Sequence, residues 1–557
     1  MMKNPKQNIV FTIVLLLALC IRIVGLETNP VHLTSDEAAL GYNAYSILKT
    51  GRDEHGVLLP IIFESFGDWK PGLYIYTAIP SIALFGLNEF AVRLPSALAG
   101  VIGIIYIYKV THILFDNRRL SLMSAFLLAI TPWHIHFSRG AWEANLALTL
   151  TLAGSYYFLK ALKSQAKYLL VSAGIFGLSL WAYQGAKLSG LLLVIALFCA
   201  FGTKLVKIDK KILMSAIGVG IIFSLPIILS VLSGRAGRLA IVSIFSHSRP
   251  TEYIEENILV QDQIESPDFH YLIFHSDLLN QFRGILGRYT NHFSGRYLFF
   301  EGDWQNSRHA VSHSGNLLYI NIILIPVGLY VIRTKYWGHK SIFFLFWLVL
   351  APLPAALTRD SVHAIRSLQM VIPLCVISAF GLEYLLSWIN VKRILVRILG
   401  TSLLAAMFLS SIVWYFDAYY IHDSKIKSKQ WLYGYKQVVE SVSRKQSSYQ
   451  KVIFAQSYNQ PYIFFLFYQK YNPTVYQRNK SYVPSKLGDV GYVERLDNIE
   501  FRIVNWSGDK EMNNVLIVAT PTDVPLDEIR ANPQTYSLEE INYIDNSLAF
   551  AVFEVHR

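Results

Sequence analysis

The sequence carries little charge for its length. Only 16% of its 557 residues are Asp, Glu, Lys or Arg, whereas 53% are hydrophobic, and the mean hydropathy is +0.36. Apolar runs of about 18 residues or more recur along the first three quarters of the chain, and each can cross a hydrocarbon core of roughly 30 Å. The scarcity of charge therefore argues against a soluble protein and predicts a polytopic membrane protein.

Cysteine is also scarce, and nucleotide-binding motifs are absent. The three cysteines, Cys20, Cys199 and Cys375, lie in separate apolar runs without C-x-x-C spacing, which predicts neither a disulfide framework nor a cysteine metal site. The chain has no GxxxxGK[ST] and no GxGxxG after a strand, so a nucleotide site is not expected. The net charge of +12 lies mostly in loops, where it sets membrane topology. We therefore expect no nucleic-acid partner.

The apolar runs predict eleven membrane spans. The first resembles a signal peptide but lacks an A-x-A cleavage site, so we interpret it as an uncleaved span. The approximate ranges are 9–26, 91–114, 120–137, 143–163, 167–183, 187–203, 212–232, 315–333, 341–357, 366–388 and 394–416.

The loop charges predict which connections face the cytoplasm. With the N-terminus inside, the alternate connections contain many Lys and Arg residues, and their only acids are Asp116 and Asp209. This bias follows the positive-inside rule. Residues 27–90, residues 233–314 and the tail from 417 then lie on the outer face of a cell membrane.

The tail differs in pattern from the spans. Short apolar runs at 451–455, 515–519 and 549–555 are typical of strands, and a helical pattern covers 460–471. We therefore predict a helical membrane domain over residues 1–416 and an extracytoplasmic α/β domain over residues 417–557.

The first outer loop begins with "TSDEAALGYNAYSILKTG". Thr34 and Glu37 have the spacing of a capping box, and acids in a first turn suit the helix dipole. The box needs only one of the two adjacent acids, so it leaves Asp36 without an assigned role. Residues 36–49 and 72–87 are predicted as helices along the membrane surface.

Ionisable side chains gather at the predicted outer ends of the spans. Such groups are costly at membrane depth, so their position is informative. They are Arg22, Arg93, His134, His136, Arg139, Glu143, Lys187, His363 and Arg366, flanked by Asp36, Glu37, Asp68 and Lys70 from the first loop.

Each of these groups has an ordinary explanation when it is taken alone. Arg139 and Glu143 are spaced for an i,i+4 pair, Lys187 can snorkel to the interface, and His363 and Arg366 can be loop charges. Together, carboxylates beside fixed cations suit chemistry on an anionic, membrane-embedded substrate. Cations bind phosphate, and a carboxylate accepts a proton from a hydroxyl.

Five stretches resemble the C-type glycosyltransferases. "SDEAALGYNAYSILKTG", "FGDWKPGLYIY" and "LFGLNEFAVRLPSALAG" follow the order found in the bacterial branch that contains the lipid A aminoarabinose transferases and the protein O-mannosyltransferase-related enzymes. "HFSRGAWEANLAL" and "WAYQGAKLSGLLL" resemble later turns of that branch that carry an acid and a lysine. The resemblance covers the membrane part, most closely residues 31–190.

The resemblance implies a fold, a reaction and a set of site residues. The reaction is an inverting sugar transfer from a polyprenyl-phosphate carrier to an acceptor hydroxyl, with no cofactor and no obligatory metal. The candidate catalytic residues are Asp36, as the base, and Glu37, which builds the turn. The resemblance implies Lys70 and Lys187 as donor-phosphate ligands and Glu143 on the sugar side. The gathering of ionisable groups adds Arg139 and Arg366 as candidate phosphate ligands, and Asp68 and His363 as candidates on the sugar or acceptor side.

One position departs from the pattern of that branch. Its members usually have Glu directly before the Lys-Pro, whereas this chain has Trp69 there and Asp68 one residue earlier. Either Asp68 replaces that carboxylate through a shifted turn, or the carboxylate is missing.

Two other functions stay open at this point. A glycan ligase or polymerase would use a diphosphate-linked donor, and we would expect it to have Arg-rich outer loops. A lipid-linked sugar transporter would place broken helices and charges near the bilayer midplane. The sequence does not identify the sugar, nor whether the acceptor is a lipid, a glycan or a protein.

Overall fold

The computed structural model describes residues 5–233, 277–457, 459–484 and 491–555, so much of the predicted loop 233–314 lies outside the described residues. Helices dominate the chain as far as residue 417. They are α1 (Pro5–Ile23), α2 (Ser35–Thr50), α3 (Leu73–Phe85), α4 (Glu89–Phe115), α5 (Arg118–Ile130), α6 (Pro132–Arg139), α7 (Glu143–Lys163), α8 (Tyr168–Ser179), α9 (Ala186–Leu205), α10 (Lys210–Leu232), α11 (Asp277–Asn291), α12 (Asn321–Lys335), α13 (His339–Leu350), α14 (Leu353–Ala356), α15 (Val371–Asn390) and α16 (Ile394–Asp417).

Every predicted span overlaps a helix. Among the described residues, six helical stretches are long and apolar enough to cross a membrane, and a bent pair raises the number to seven. The chain is therefore a multi-pass membrane protein, as predicted. The count of eleven spans and the orientation of the termini stay predictions.

The span predicted at 120–137 consists of two helices. The axes of α5 and α6 differ by 56° across a break at Thr131. Pro132 has no N–H to continue the helical ladder, and its ring clashes with the preceding turn. The Thr131 hydroxyl donates to the Leu127 carbonyl at 2.6 Å. The predicted span is therefore a bent pair of helices, and its crossing of the membrane stays a prediction.

The strands among the described residues are β1 (Ile62–Ser65), β2 (Asp68–Pro71), β3 (Lys451–Ala455), β4 (Tyr482–Val483), β5 (Tyr492–Val493), β6 (Arg495–Leu496), β7 (Ile499–Arg502), β8 (Val515–Ala519), β9 (Tyr536–Asn542) and β10 (Leu548–Val555). In the tail, six of them form a mixed sheet in the order β6-β7-β3-β8-β10-β9. Strand β3 runs parallel to β7 and β8, whereas β10 is antiparallel to β8 and β9. The sheet content predicted for the tail is confirmed.

Short helices connect and cover the strands of the tail. They are α17 (Asp423–Ile426), α18 (Tyr435–Lys445), α19 (Pro461–Tyr468), α20 (Pro473–Asn479), α21 (Trp506–Asp509) and α22 (Leu526–Ala531). Helix α19 falls within the helical pattern predicted at 460–471.

One hydrophobic cluster joins the first loop to the tail. It includes Tyr42 from α2 and Phe454 from β3. Helices α2 and α19 approach so closely that a Cβ atom at Gly41 would lie 2.6 Å from the ring of Phe467. The Tyr42 hydroxyl also donates to the Tyr471 carbonyl at 3.2 Å. This packing fixes α2, whose first turn carries Asp36. The division of the chain at residue 416 stays a prediction.

A buried carboxyl group lies in this first loop. Glu54 is fully buried, and its Oε1 accepts a hydrogen bond from Asn43 Nδ2 at 2.9 Å. Its Oε2 has no hydrogen-bond partner among the described residues. Burial, reinforced by the charges of Asp53 and Glu64, raises the pKa of Glu54 to about 8. The folded protein therefore keeps the Glu54 proton at neutral pH.

We expect Glu54→Gln to flatten the dependence of stability on pH. Between the unfolded pKa, near 4.5, and the folded pKa, about 8, the unfolded chain loses this proton while the folded chain keeps it. Stability therefore falls as pH rises through that window, by at most about 1.4 kcal/mol per pH unit. Thermal unfolding at pH 5 and pH 9 measures the effect. Exposed Glu27→Gln is the matched control, and an unchanged pH slope in Glu54→Gln would contradict the assignment.

Candidate active site

A cavity of about 540 Å³ opens beside the first turn of α2. Its walls come from the first loop, the start of α7, the start of α9 and the segment before α15. The candidate site residues that line it are Asp36, Glu37, Asp68, Lys70, Glu143, Lys187, His363 and Arg366. Of the candidates from the sequence, Arg139 alone does not line this cavity.

The start of α2 explains why two acids are adjacent there. The Thr34 hydroxyl accepts the Glu37 N–H at 3.2 Å, and Glu37 Oε2 accepts the Thr34 N–H at 3.0 Å. The predicted capping box is therefore confirmed. With Glu37 turned back to the cap, Asp36 is the exposed acid of the pair, and 59% of its side chain is accessible.

Glu37 also neutralises a buried arginine. Arg93 Nε donates to Glu37 Oε1 at 3.0 Å, and Arg93 is fully buried. The other N–H groups of Arg93 donate to the carbonyls of Leu26, Pro30 and His32 at 2.7–3.1 Å. Both oxygens of Glu37 are therefore occupied by structural partners, which separates its role from that of Asp36.

A tight hairpin places Asp68 beside Lys70. Strands β1 and β2 pair antiparallel through a two-residue turn in which Phe66 and Gly67 both have positive φ, at 58° and 81°. Alternate residues of a strand share a face, so Asp68 and Lys70 face the cavity together while Trp69 alternates to the other side. This geometry favours the interpretation in which Asp68 supplies the carboxylate that the sequence lacks at position 69.

Lys70 forms an ion pair with Asp36. Burial opposes the charge of the lysine, but the carboxylates of Asp36, Glu143 and Asp68 outweigh this effect and raise the pKa of Lys70. The ammonium group is therefore protonated at neutral pH.

Gln184 links the second lysine to the hairpin. Its side-chain Nε2 donates to the Trp69 carbonyl, and its Oε1 accepts from Lys187 Nζ at 2.6 Å. The Leu73 N–H also donates to the Trp181 carbonyl at 2.9 Å. The turn before α9 is thereby attached to the hairpin, which holds Lys187 in the same cavity as Lys70. Sequence reasoning missed Gln184, although it lies three residues before Lys187.

Glu143 and its neighbour present unpaired polar atoms to the cavity. Glu143 is the first residue of α7, and its Oε1 is buried without a hydrogen-bond partner among the described residues. The same holds for Nε1 of Trp142, which also lines the cavity. One acceptor and one donor are therefore available to a polar ligand. Trp142 was not identified from the sequence.

Arg139 lies elsewhere. It donates to the carbonyls of Ile21, Gly25 and Asn29 and to the Tyr419 hydroxyl. Carbonyl groups at the end of a helix lack intrahelical partners, and Arg139 supplies donors to the end of α1. The i,i+4 pair with Glu143 does not form, and the location differs from that expected of a phosphate ligand.

The segment before α15 contributes His363 and Arg366. Arg366 Nη1 donates to Asp360 at 3.0 Å and to the Thr358 hydroxyl at 2.8 Å. Burial, together with the charge of Arg366, lowers the pKa of His363 well below its usual value, so this imidazole is neutral. His309, which sequence reasoning missed, faces the same cavity, and its ring centroid lies 4.8 Å from that of His363.

Comparison with known proteins adds a match to a family model over part of the chain and a fold. Residues 70–229 match the family model described as dolichyl-phosphate-mannose-protein mannosyltransferase. The structure of ArnT from Cupriavidus metallidurans bound to undecaprenyl phosphate superposes with a TM-score of 0.54 at 12% identity, over 97% of each chain. The chain has the C-type glycosyltransferase fold. The predicted resemblance and the predicted fold class are confirmed.

The structure of an archaeal oligosaccharyltransferase is also similar. AglB from Archaeoglobus fulgidus, in complex with an inhibitory peptide and a dolichol-phosphate, has a TM-score of 0.50 at 12% identity, over 84% of this chain and 64% of AglB. Among curated proteins, no sequence relative is found. At these identities the structural likeness establishes the fold, and the roles of individual residues are argued from their geometry.

Within this C-type glycosyltransferase fold, an apolar groove of about 620 Å³ runs between α8, α9 and α10. Its walls are almost entirely aliphatic and aromatic, with Phe176, Leu191 and Ile217 among them. Lys187 lines this groove and also the polar cavity. The polar site and the apolar groove therefore meet at one cation.

Proposed function

We propose that the protein transfers a sugar from a polyprenyl-phosphate carrier to an acceptor hydroxyl, with inversion, on the outer face of the cell membrane. The observation that carries this proposal is the position of Lys187, between the polar cavity and the apolar groove. A ligand with a phosphate head and a long isoprenoid tail has the matching chemistry. The ArnT and AglB structures similar to this chain are named as complexes with undecaprenyl phosphate and dolichol-phosphate.

The transfer step follows from the charges in the cavity. The acceptor oxygen attacks the anomeric carbon, and its proton passes to the Asp36 carboxylate. The bond between that carbon and the phosphate oxygen breaks, and the polyprenyl phosphate leaves as an anion. Lys70, Lys187 and Arg366 stabilise the charge that grows on the phosphate, and electrostatic stabilisation of this kind usually contributes more to catalysis than any other single effect.

The remaining cavity groups suit the sugar. Glu143 Oε1 and Trp142 Nε1 are unpaired among the described residues and can accept from and donate to sugar hydroxyls. Asp68 lies on the face of the hairpin that carries Lys70, and His363 is neutral and available as a hydrogen-bond partner. The proposed transfer needs no nucleotide and no obligatory metal ion. In the proposed topology the N-terminus is cytoplasmic, and the C-terminal α/β region is extracytoplasmic.

Purified full-length protein in lipid vesicles tests the function. A panel of polyprenyl-phosphate sugars is offered with acceptor alcohols, and release of polyprenyl phosphate is measured together with the anomeric configuration of the product. Release with inversion supports the proposal. Turnover of diphosphate-linked donors alone would establish the ligase alternative, and movement of donor across the vesicle without bond cleavage would establish the transporter.

We expect Lys187→Gln to lower kcat/KM for the donor about 10–100-fold, because a hydrogen bond to a charged group contributes roughly 1.5–3 kcal/mol. Steady-state turnover with donor as the varied substrate measures this loss. The matched control is Lys204→Gln, which removes an exposed lysine from the other end of α9. Equal kinetics for the two variants would remove Lys187 from the donor site.

A further inference from the structure

A cluster of metal-binding side chains lies in the cavity wall. Two of its members, Asp303 and His309, take no part in the proposed transfer, and a bound ion would occupy a ring nitrogen of the third, His363, in place of a sugar hydroxyl. One oxygen of Asp303, one ring nitrogen of His309 and one ring nitrogen of His363 lie within 4.8 Å of one another. We propose that these three residues hold one divalent transition-metal ion of the zinc type, with a fourth coordination position that opens into the cavity.

The donor set fits that class of ion. Two imidazole nitrogens and one carboxylate oxygen are the protein ligands of zinc sites that keep one position open. His309 and His363 line the cavity, so a ligand in the fourth position would come from that side.

The spacing is close to that of a formed site. Ligand atoms about 2.0–2.2 Å from a tetrahedral zinc ion stand roughly 3.3–3.6 Å apart. Asp303 Oδ2 and His309 Nδ1 are already 3.3 Å apart, in a hydrogen bond whose proton the ion would replace. The remaining separations of up to 4.8 Å require a shift of the His363 ring by roughly 1 Å to reach that spacing, which is a small side-chain movement.

Hydrogen bonds from the backbone hold these residues in place. Asp303 accepts the N–H groups of Asn306 at 2.9 Å and Ala364 at 2.7 Å, so its carboxylate ties the loop that carries His309 to the segment that carries His363. Partners of this kind orient metal ligands in other proteins and raise affinity. The two halves of the site are therefore joined before any ion binds.

Each neighbouring cation has a carboxylate partner, which offsets part of its repulsion of an ion here. Arg366 is paired with Asp360 at 3.0 Å, and Lys427 is paired with Asp423 at 3.1 Å. A bound ion would add positive charge to the cavity wall beside Arg366, where an anionic substrate group would meet it. A resident ion at this position is compatible with a transfer step that does not require one.

The experiment measures the ion directly and so does not depend on the transfer reaction. Full-length protein, purified through a tag without histidine, is depleted of metal and titrated with Zn²⁺ and separately with Co²⁺. Bound metal per chain is determined by mass spectrometry, and the visible absorption of Co²⁺ reports tetrahedral nitrogen ligation. The variants are His309→Asn and His363→Asn, with thermal unfolding as the test that each is folded. The control is His422→Asn, because His422 lies 3.3 Å from Asp417 in an exposed Asp–His pair.

We expect about one ion per chain in the wild type and in His422→Asn. In the two cluster variants the affinity for the ion should be at least roughly 10–100-fold lower, because replacing residues that merely support metal ligands already costs that much. His309→Ala and His363→Ala replace either Asn variant that fails to fold. Absence of bound metal in the wild type would overturn the proposal. So would retention of the ion in both cluster variants, or equal loss in His422→Asn.

Discussion

Asp36→Asn is expected to reduce kcat for sugar transfer by about 10²–10⁴-fold, which is the contribution of a positioned general base. The amide keeps the size of the side chain but cannot accept the proton of the acceptor hydroxyl. Donor affinity should change little, because Lys70 keeps Asp68 and Glu143 as neighbouring charges. Single-turnover release of polyprenyl phosphate at saturating acceptor measures the loss.

A chemical rescue separates a base from a structural residue. Azide needs no deprotonation, so it should attack the sugar in Asp36→Asn and restore donor cleavage, with a glycosyl azide as product. A residue that only shaped the loop would not show this rescue. The matched control is Glu27→Gln, an exposed acid of the same loop. Wild-type turnover in Asp36→Asn would remove Asp36 from the mechanism.

The sequence alone located most of the cavity because its short motifs have local causes. Thr34 and Glu37 predict a helix start through a capping box, and that start leaves Asp36 exposed next to the membrane part. Lys187 lies near the start of α9, at the end of an apolar run. A charged residue is rare at such a position and therefore indicates a candidate site. These inferences depend on residues within a few positions of each other.

Other features depend on contacts that no local pattern shows. The turn between β1 and β2 places Phe66 at positive φ, and its Ser-Phe-Gly-Asp sequence lacks the Asn-Gly or Asp-Gly signal of a two-residue hairpin. The hairpin was therefore not predicted, and the relation between Asp68 and Trp69 stayed open. His309 and His363 are brought together across more than fifty residues, so sequence reasoning identified only the one beside Arg366.

Arg139 shows the limit of reasoning from charge alone. An arginine at a predicted outer span end is expected to be available to a phosphate. The bend at Thr131 turns α6, and the carbonyl groups that end α1 take up the guanidinium instead. Helix packing decides which of several cations donates its hydrogen bonds to backbone carbonyls. The sequence does not reveal that packing.

Glu37→Ala is expected to lower the free energy of unfolding by about 3–5 kcal/mol, the cost of leaving one partner of a buried ion pair uncompensated. Arg93 is fully buried, and its remaining partners are three backbone carbonyls. Loss of Glu37 also removes the acceptor of the Ala141 N–H at 2.8 Å and opens the capping box. Denaturant titration and the thermal midpoint measure the loss, and Glu27→Ala, an exposed change, should stay within about 0.5 kcal/mol of the wild type.

A double-mutant cycle tests whether Glu37 and Arg93 stabilise the fold as a coupled pair or independently of each other. Replacing Glu37 by Leu and Arg93 by Met together removes both charges, so the double variant should lose less stability than the sum of the two single variants. Additive losses would show that the pair is not coupled.

Turnover per folded molecule gives a second readout that separates Glu37 from Asp36. Glu37→Gln should retain kcat within about tenfold, whereas Asp36→Asn should lower kcat by at least about 10²-fold, the lower bound for a general base. A loss in Glu37→Gln as large as that in Asp36→Asn, with azide rescue in both, would instead make the two acids a catalytic pair. The capping box argues against that outcome, because an oxygen that accepts the Thr34 N–H and faces Arg93 is poorly placed to receive a proton from an acceptor.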